Sequence, residues 1–385
     1  MLTRHLLLPL LLTLTFSCNR EKAAHTTEKS QASDSNYQDK VEIKHAQGFS
    51  IQYFKDYKIA SIVSSGTDTL KYILLEKGAP RPAGYENAQI INIPLKSAVA
   101  MSSMHIGLFE MLGAENVLTG LGNLQYVYSP KVIARIKVGK ISEVGRDQGL
   151  NEEKLVEMNP GVVMTVGSPG SKTDHYQTLK QANIPVLVNS EWIEKTPLAR
   201  AEWVKLVAAL LNQEKLVNEK FGEIEREYDR LAKLAAASAK KPTVLSGLNT
   251  KDAWFLPSGD SYMAKFFADA GADYHWKNNK AAGSLPMNFE AVYPFALEAD
   301  SWVNVGFDKN DTRQSILAQD SRYSDFKAFK SGNIFSYNNK VNEQGSNDFF
   351  ESGTVNPHIV LADLIKIFHP EILPEHQLVY YKKLQ

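Results

Sequence analysis

The chain has 385 residues, 43% apolar and 22% charged, with 43 lysines and arginines set against 43 aspartates and glutamates. The length suits two domains or one large one, and the apolar share is that of a globular protein with a sizeable core. The zero charge balance argues against a nucleic-acid partner, which calls for a basic excess.

The first element is a short basic head at Arg4 and His5, followed by a leucine-rich run and then Thr15-Phe16-Ser17-Cys18. The run is too short to span a bilayer and reads as a secretory signal peptide over 1–17. Cys18 is the only cysteine of the chain. Directly after the cut it resembles the lipobox of bacterial lipoproteins, although Thr15 stands where leucine is usual. The resemblance implies a diacylated Cys18 that tethers the protein to a membrane. A signal peptide that merely ends at a cysteine is the alternative. No second apolar stretch is long enough to cross a membrane, so an exported, soluble body is expected.

Residues 18–40 are polar and read as a flexible tether. Over 41–93 the pattern is strand-like, with Phe49, Ile51 and Tyr53 alternating and β-rich runs at 59–64 and 70–75; a small β-ribbon flanking the first lobe is expected. Over 94–212 short apolar strands (98–101, 117–120, 162–165, 186–188) alternate with helical stretches (104–113, 151–158, 173–182). This alternation implies a mainly parallel sheet covered by helices. Thr196-Pro197 opens another helix, with a break near Asn212-Gln213. Across 213–239 Val217, Phe221, Ile224, Tyr228, Leu231 and Ala235 form one apolar stripe. This is either an ordinary amphipathic helix or a strut joining two domains. In 240–385 strands are expected at 243–247, 253–256, 301–305 and 334–337. Helices are expected at 261–270, 288–296, 312–319, 322–329 and 355–368. The fold class is therefore α/β: two Rossmann-like lobes joined by a single long backbone helix, with the small N-terminal ribbon added.

Motifs of enzymes are missing. There is no GxxxxGK[ST] phosphate loop, no GxSxG elbow, no HExxH and no CxxC. The nine histidines form no i, i+4 pair, so no metal site or cofactor is expected. Ser168, Ser258 and Ser261 sit in loops after strands and leave a lipid-anchored serine hydrolase as a reading from another class.

Three stretches carry a resemblance: 93–122 (IPLKSAVAMSSMHIGLFEMLGAENVLTGLG), 144–167 (VGRDQGLNEEKLVEMNPGVVMTVG) and 255–274 (FLPSGDSYMAKFFADAGADY). Together and in this order they resemble the class III periplasmic substrate-binding proteins of ABC importers for cobalamin, iron–siderophores and haem. The resemblance implies a non-enzymatic, monomeric, lipid-anchored protein of the periplasmic side of the cell envelope. It would capture an iron–siderophore or related metal chelate and deliver it to an ABC permease and its ATPase. A non-transporting sensor that kept the fold is a further reading. The ligand would sit between the lobes, on Ser102, Ser103, Met104, Asn123, Tyr126, Arg146, Asp147, Ser168 and Trp192 of the first. From the second come Trp254, Ser258, Trp276, Phe307, Asn338 and the stretch 345–350, Phe349 foremost. Trp254 and Trp276 could equally be lobe core, and Arg146 a solvated charge. Asp147 stands where cobalamin binders can carry tryptophan, which favours a polar iron chelate. By the same resemblance Glu153 and Glu290 would dock on permease arginines; their place in first helical turns also suits the helix dipole alone.

Overall fold

Parallel strand pairing recurs on both sides of one long helix. The computed structural model describes residues 37–65, 68–86, 88–146, 149–167, 176–250, 253–281, 283–306 and 308–385, which cluster as one unit. Cys18, Asp147, Ser168 and Phe307 lie outside them, as does the start of the helix expected over 173–182.

The strands β1 (Phe49–Tyr53), β2 (Tyr57–Ser65), β3 (Asp68–Glu76) and β4 (Gln89–Ile93) form one sheet in that order. The first lobe contains β5 (Ala98–Ala100), β6 (Leu118–Leu121), β7 (Ser142–Glu143), β8 (Val163–Val166) and β9 (Val186–Asn189) in the parallel order β7-β6-β5-β8-β9. Its helices are α1 (Ser103–Met111), α2 (Pro130–Lys137), α3 (Glu152–Met158), α4 (Gln177–Gln181), α5 (Pro197–Ala201) and α6 (Val204–Leu211).

The linking helix α7 (Glu214–Ala236) buries the expected stripe of Val217, Phe221, Ile224, Tyr228, Leu231 and Ala235. Its 23 residues make a rod of about 35 Å at 1.5 Å each. It packs on α6 on one side and on α8 (Tyr262–Asp269) and α12 (Pro357–Phe368) of the second lobe on the other.

The second lobe departs from a copy of the first. Among the described residues β10 (Thr243–Ser246), β13 (Asp273–Tyr274) and β15 (Ser301–Val303) form a parallel sheet of three strands, with one isolated parallel bridge from Trp302 to Ile334. The strands β11 (Asn249–Thr250), β12 (Ala253–Pro257) and β14 (Ser284–Met287) make a separate antiparallel sheet, and β16 (Phe335–Ser336) pairs antiparallel with β17 (Lys382–Lys383). The helices α9 (Phe289–Ala296), α10 (Arg313–Leu317) and α11 (Lys327–Ser331) complete it.

Two expected helices divide. The one opened by Thr196-Pro197 becomes α5 and α6 with a turn at Glu202-Trp203. The stretch 322–329 becomes a 3-10 turn over Ser321–Asp325, capped by Asp320, followed by α11, with Phe326 extended and buried between them. Helix α2 escaped the sequence reading although Ser129-Pro130 repeats the start signal of Thr196-Pro197. The Ser129 hydroxyl accepts from Val132 N as its N-cap.

The N-terminal ribbon is more than a flank. Gln89 of β4 brackets the outer edge of β9, its Oε1 accepting from Val186 N (2.8 Å) and its Nε2 donating to Val186 O (3.3 Å). The Tyr72 hydroxyl accepts from Val188 N (3.2 Å). Side chains thus cover a sheet edge that would otherwise present open peptide groups. Upstream, Glu202 accepts from the backbone N–H of Lys44, His45 and Ala46, and Glu194 from Gln47 and Gly48. Burial works to raise the Glu202 carboxyl, but Lys205 and the backbone donors outweigh it and hold it low; at Glu194 burial wins and the carboxyl is raised.

Lys58 of β2 is fully buried and reaches the joint between α6 and α7. Its Nζ donates to Ala209 O (2.7 Å), Asn212 Oδ1 (2.7 Å) and Glu214 Oε1 (2.5 Å), with the Tyr37 ring 4.6 Å away. Burial lowers its pKa in spite of Glu214. Removing one member of such a pair strands the other charge, at about 3–5 kcal/mol. Lys58→Met should therefore lower stability by that order in urea unfolding, and Lys58→Met with Glu214→Leu should recover more than half of the loss. Equal losses in the single and double variants would show that the pair does not carry the joint.

Candidate functional site

The crevice is built where the first lobe's parallel strands end. The turn from β5 into α1 brings Ser102 and Ser103 to a cavity of about 340 Å³. Ser102 holds the N-cap position in extended backbone yet makes no side-chain cap bond, so its hydroxyl is not spent on the helix. Gly122, just past β6, makes room for the Arg146 side chain, since a Cβ there would lie 2.9 Å from Arg146 Cγ. The Arg146 guanidinium lies 5.2 Å from the Tyr126 ring centroid. Asn123 lines the same cavity, as do Thr165 and Tyr176, whose hydroxyls meet at 2.9 Å.

A second cavity of about 480 Å³ opens against the other lobe, with Phe255, Tyr262, Phe349 and Phe350 on that side and Trp192 on the first-lobe side. A Cβ on Gly167, next to Val166 of the first cavity, would lie 3.3 Å from Trp192 Nε1 of the second. Arg200 pairs with Glu191 and lies 4.1 Å from the Tyr262 ring across the lobes. Lys195 reaches Asp260 at 3.3 Å. One wall is thus rich in hydroxyls with an arginine, and the other is aromatic.

The structure gathers Ser102, Ser103, Asn123, Tyr126, Arg146, Trp192 and Phe349 at these cavities and places the other described candidates elsewhere. Met104 is buried with its sulfur 4.0 Å from Asn189 Nδ2. Trp254 is 0% exposed and donates its indole N–H to Ser246 O (2.9 Å) inside the lobe core. Trp276 packs among Tyr274, His275 and Phe295. Asn338 is buried and spends its amide on Asp308 O and Asn347 Nδ2. Ser258 is enclosed and its hydroxyl has no partner, while Ser261 caps α8 by accepting from Ala264 N. No histidine bonds to either among the described residues.

Phe255 was missed. In β12 alternate residues face opposite ways, so Trp254 turned inward sends Phe255 out, 53% exposed. Phe350 falls within the expected 345–350 stretch; in the 3-10 turn Asp348–Phe350 it points outward, 46% exposed, beside its buried neighbour Phe349.

Glu153 and Glu290 occupy equivalent places. Each is exposed and is the second residue of its helix, after an asparagine N-cap: Asn151 Oδ1 accepts from Lys154 N (2.9 Å), and Asn288 Oδ1 from Ala291 N (2.8 Å). Arg322 lies 3.6 Å from Glu290.

These features define a two-lobed binding protein with a crevice between its halves. Residues 99–341 match the periplasmic binding protein family, and the chain belongs to it. A lipoprotein of unassigned function from Methanocaldococcus jannaschii is 29% identical over 331 residues, 81% of this chain and 76% of that one. The apo heme-binding protein RhuT of Roseiflexus superposes with a TM-score of 0.55 at 16% identity, over 72% of this chain and 99% of that one. The vitamin B12 binding protein BtuF of Vibrio cholerae gives 0.52 at 11% identity, over 74% and 99%.

The facing of β12 has a direct check. Trp254→Ala should cost about 3–5 kcal/mol in denaturant unfolding, whereas Phe255→Ala should stay within roughly 0.5 kcal/mol. Similar losses at both positions would contradict this register.

Proposed function

We propose that the protein is the substrate-binding lipoprotein of an ABC importer, taking an iron–siderophore or related metal chelate in the inter-lobe crevice and handing it to a membrane permease. The observation that carries this reading is the exposure of four large aromatics at the crevice. Tyr126, Trp192, Phe255 and Phe350 all face solvent there, at a cost that a flat or greasy guest would relieve. Arg146 and the hydroxyl wall suit an oxygen-rich or anionic edge of the same guest. Among the described residues no three histidine, cysteine, aspartate or glutamate side chains gather to hold an ion.

The matched placing of Glu153 and Glu290 supports their role as the two permease contacts. Exposed ion pairs contribute only about 0.2–1 kcal/mol each, which orients two surfaces without fixing them. The likeness to lipoproteins supports an anchor at Cys18, with 1–17 as signal, 18–40 as tether, 41–93 as the added sheet, and 94–212 and 240–385 as lobes about the helix 213–239.

Titration with ferric siderophores, haemin and cyanocobalamin, followed by tryptophan quenching and thermal shift, tests the reading. At least one should bind, and Phe255→Ala with Phe350→Ala should weaken it tenfold or more; silence across the set removes the proposal. Glu153→Ala with Glu290→Ala should abolish uptake in cells while leaving that affinity unchanged. Lost affinity would mean the docking faces are misplaced.

A further inference from the structure

The lobes are tied a second time, far from α7 in sequence. Residues 342–351 leave the second lobe as a strap and bond to the main chain of residues 125–129 in the first. Asn342 Nδ2 donates to Val127 O (2.9 Å), and Ser346 Oγ donates to Gln125 O (2.6 Å). Glu351 accepts from Tyr128 N and Ser129 N, both at 2.8 Å. The strap is preformed: Asn342 Oδ1 accepts from Gln344 N and Ser346 N, and Asp348 N donates to Lys340 O. It also approaches α1 closely, because a Cβ on Gly107 would lie 2.2 Å from Glu351 O.

Phe350 precedes Glu351 on the strap, and Tyr126 lies in the loop the strap holds. Both are exposed at the crevice, from opposite lobes. We propose that Glu351 is a positioning residue of the crevice: it latches the strap to the 125–129 loop, fixes the spacing of Phe350 and Tyr126, and relaxes that hold according to its charge. The inference rests on the crevice being the ligand site.

Glu351 is 1% exposed and forms no ion pair among the described residues. The charged groups that face it are Asp348 of the strap, paired with Lys340, and Glu110 of α1. Burial pushes its carboxyl up to about 7, against the two N–H donors and with the help of both acids. Released into water, the group returns to about 4.3. A pKa higher in the latched state means latching is strongest below the free value and is lost as pH rises toward 7, by up to about tenfold per pH unit.

Electron-spin distance measurement on the full chain tests this without any ligand, so its outcome is separable from the binding experiments. Labels go on Val138→Cys and Glu298→Cys, one exposed position per lobe, with Cys18→Ser. The otherwise unaltered protein should give one narrow distance at pH 5.5 and a broader, longer distribution at pH 8.5. Glu351→Ala should be broad at both. Asn342→Ala with Ser346→Ala, which keeps the carboxylate, should broaden less and still respond to pH. A narrow, unaltered distance in Glu351→Ala at both pH values overturns the latch. A distribution that ignores pH in the unaltered protein overturns its control by charge.

Discussion

The ammonium of Lys58 sits where three parts of the molecule converge. It takes one carbonyl from the last turn of α6, Ala209 O, the side chain of Asn212 in the left-handed turn between helices, and the carboxylate of Glu214 at the start of α7. Helix ends leave carbonyls without partners, and a buried one must find a donor or lose roughly 1–3 kcal/mol. The donor comes from β2, so the N-terminal sheet completes the joint from which the linking helix departs. The direction of that rod, and with it the placing of the second lobe, depends on a residue more than 150 positions upstream of the helix it caps.

The same device recurs with the charges reversed. Glu194 and Glu202 collect five successive peptide N–H groups from residues 44–48, and Glu351 collects two from residues 128–129. A carboxylate has four acceptor sites; at Glu202, whose carboxyl is held low, the bonds are charge-assisted, whereas at Glu351 burial without a counterion works against the charged form. Segments distant in sequence are thereby joined without strand pairing. Lys205 neutralises Glu202 at 2.6 Å; Glu351 has no such counterion, which leaves its tie responsive to protons.

The alternation of short strands and helices in the first lobe was legible because β5, β6, β8 and β9 are mainly apolar runs between helical periods, as parallel sheets require; β7, a polar Ser142-Glu143 pair at the sheet edge, was not. The stripe of α7 was legible residue by residue for the same reason of period. The second lobe was less so. Its antiparallel β11-β12-β14 sheet is made of pieces of two to five residues, too short for a period to declare itself. Among candidate site residues, those on the turns after β5 and β6 could be placed because strand ends locate them. Among residues chosen for being aromatic, Tyr126, Trp192 and Phe349 reach the crevice, whereas Trp254 is in the core and Trp276 packs half-buried against it. Whether a tryptophan faces in or out is decided by a one-residue shift in register, which composition does not carry. The carboxylate clamps left no trace, since a glutamate that binds peptide N–H groups looks like any other.

The strap holds its partner loop mainly through peptide atoms. Of its four bonds, none touches a side chain of residues 125–129. Mutation can therefore rewrite Tyr126 and its neighbours without cutting the tie, so selection can retune what the protein recognises while leaving the mechanical frame untouched.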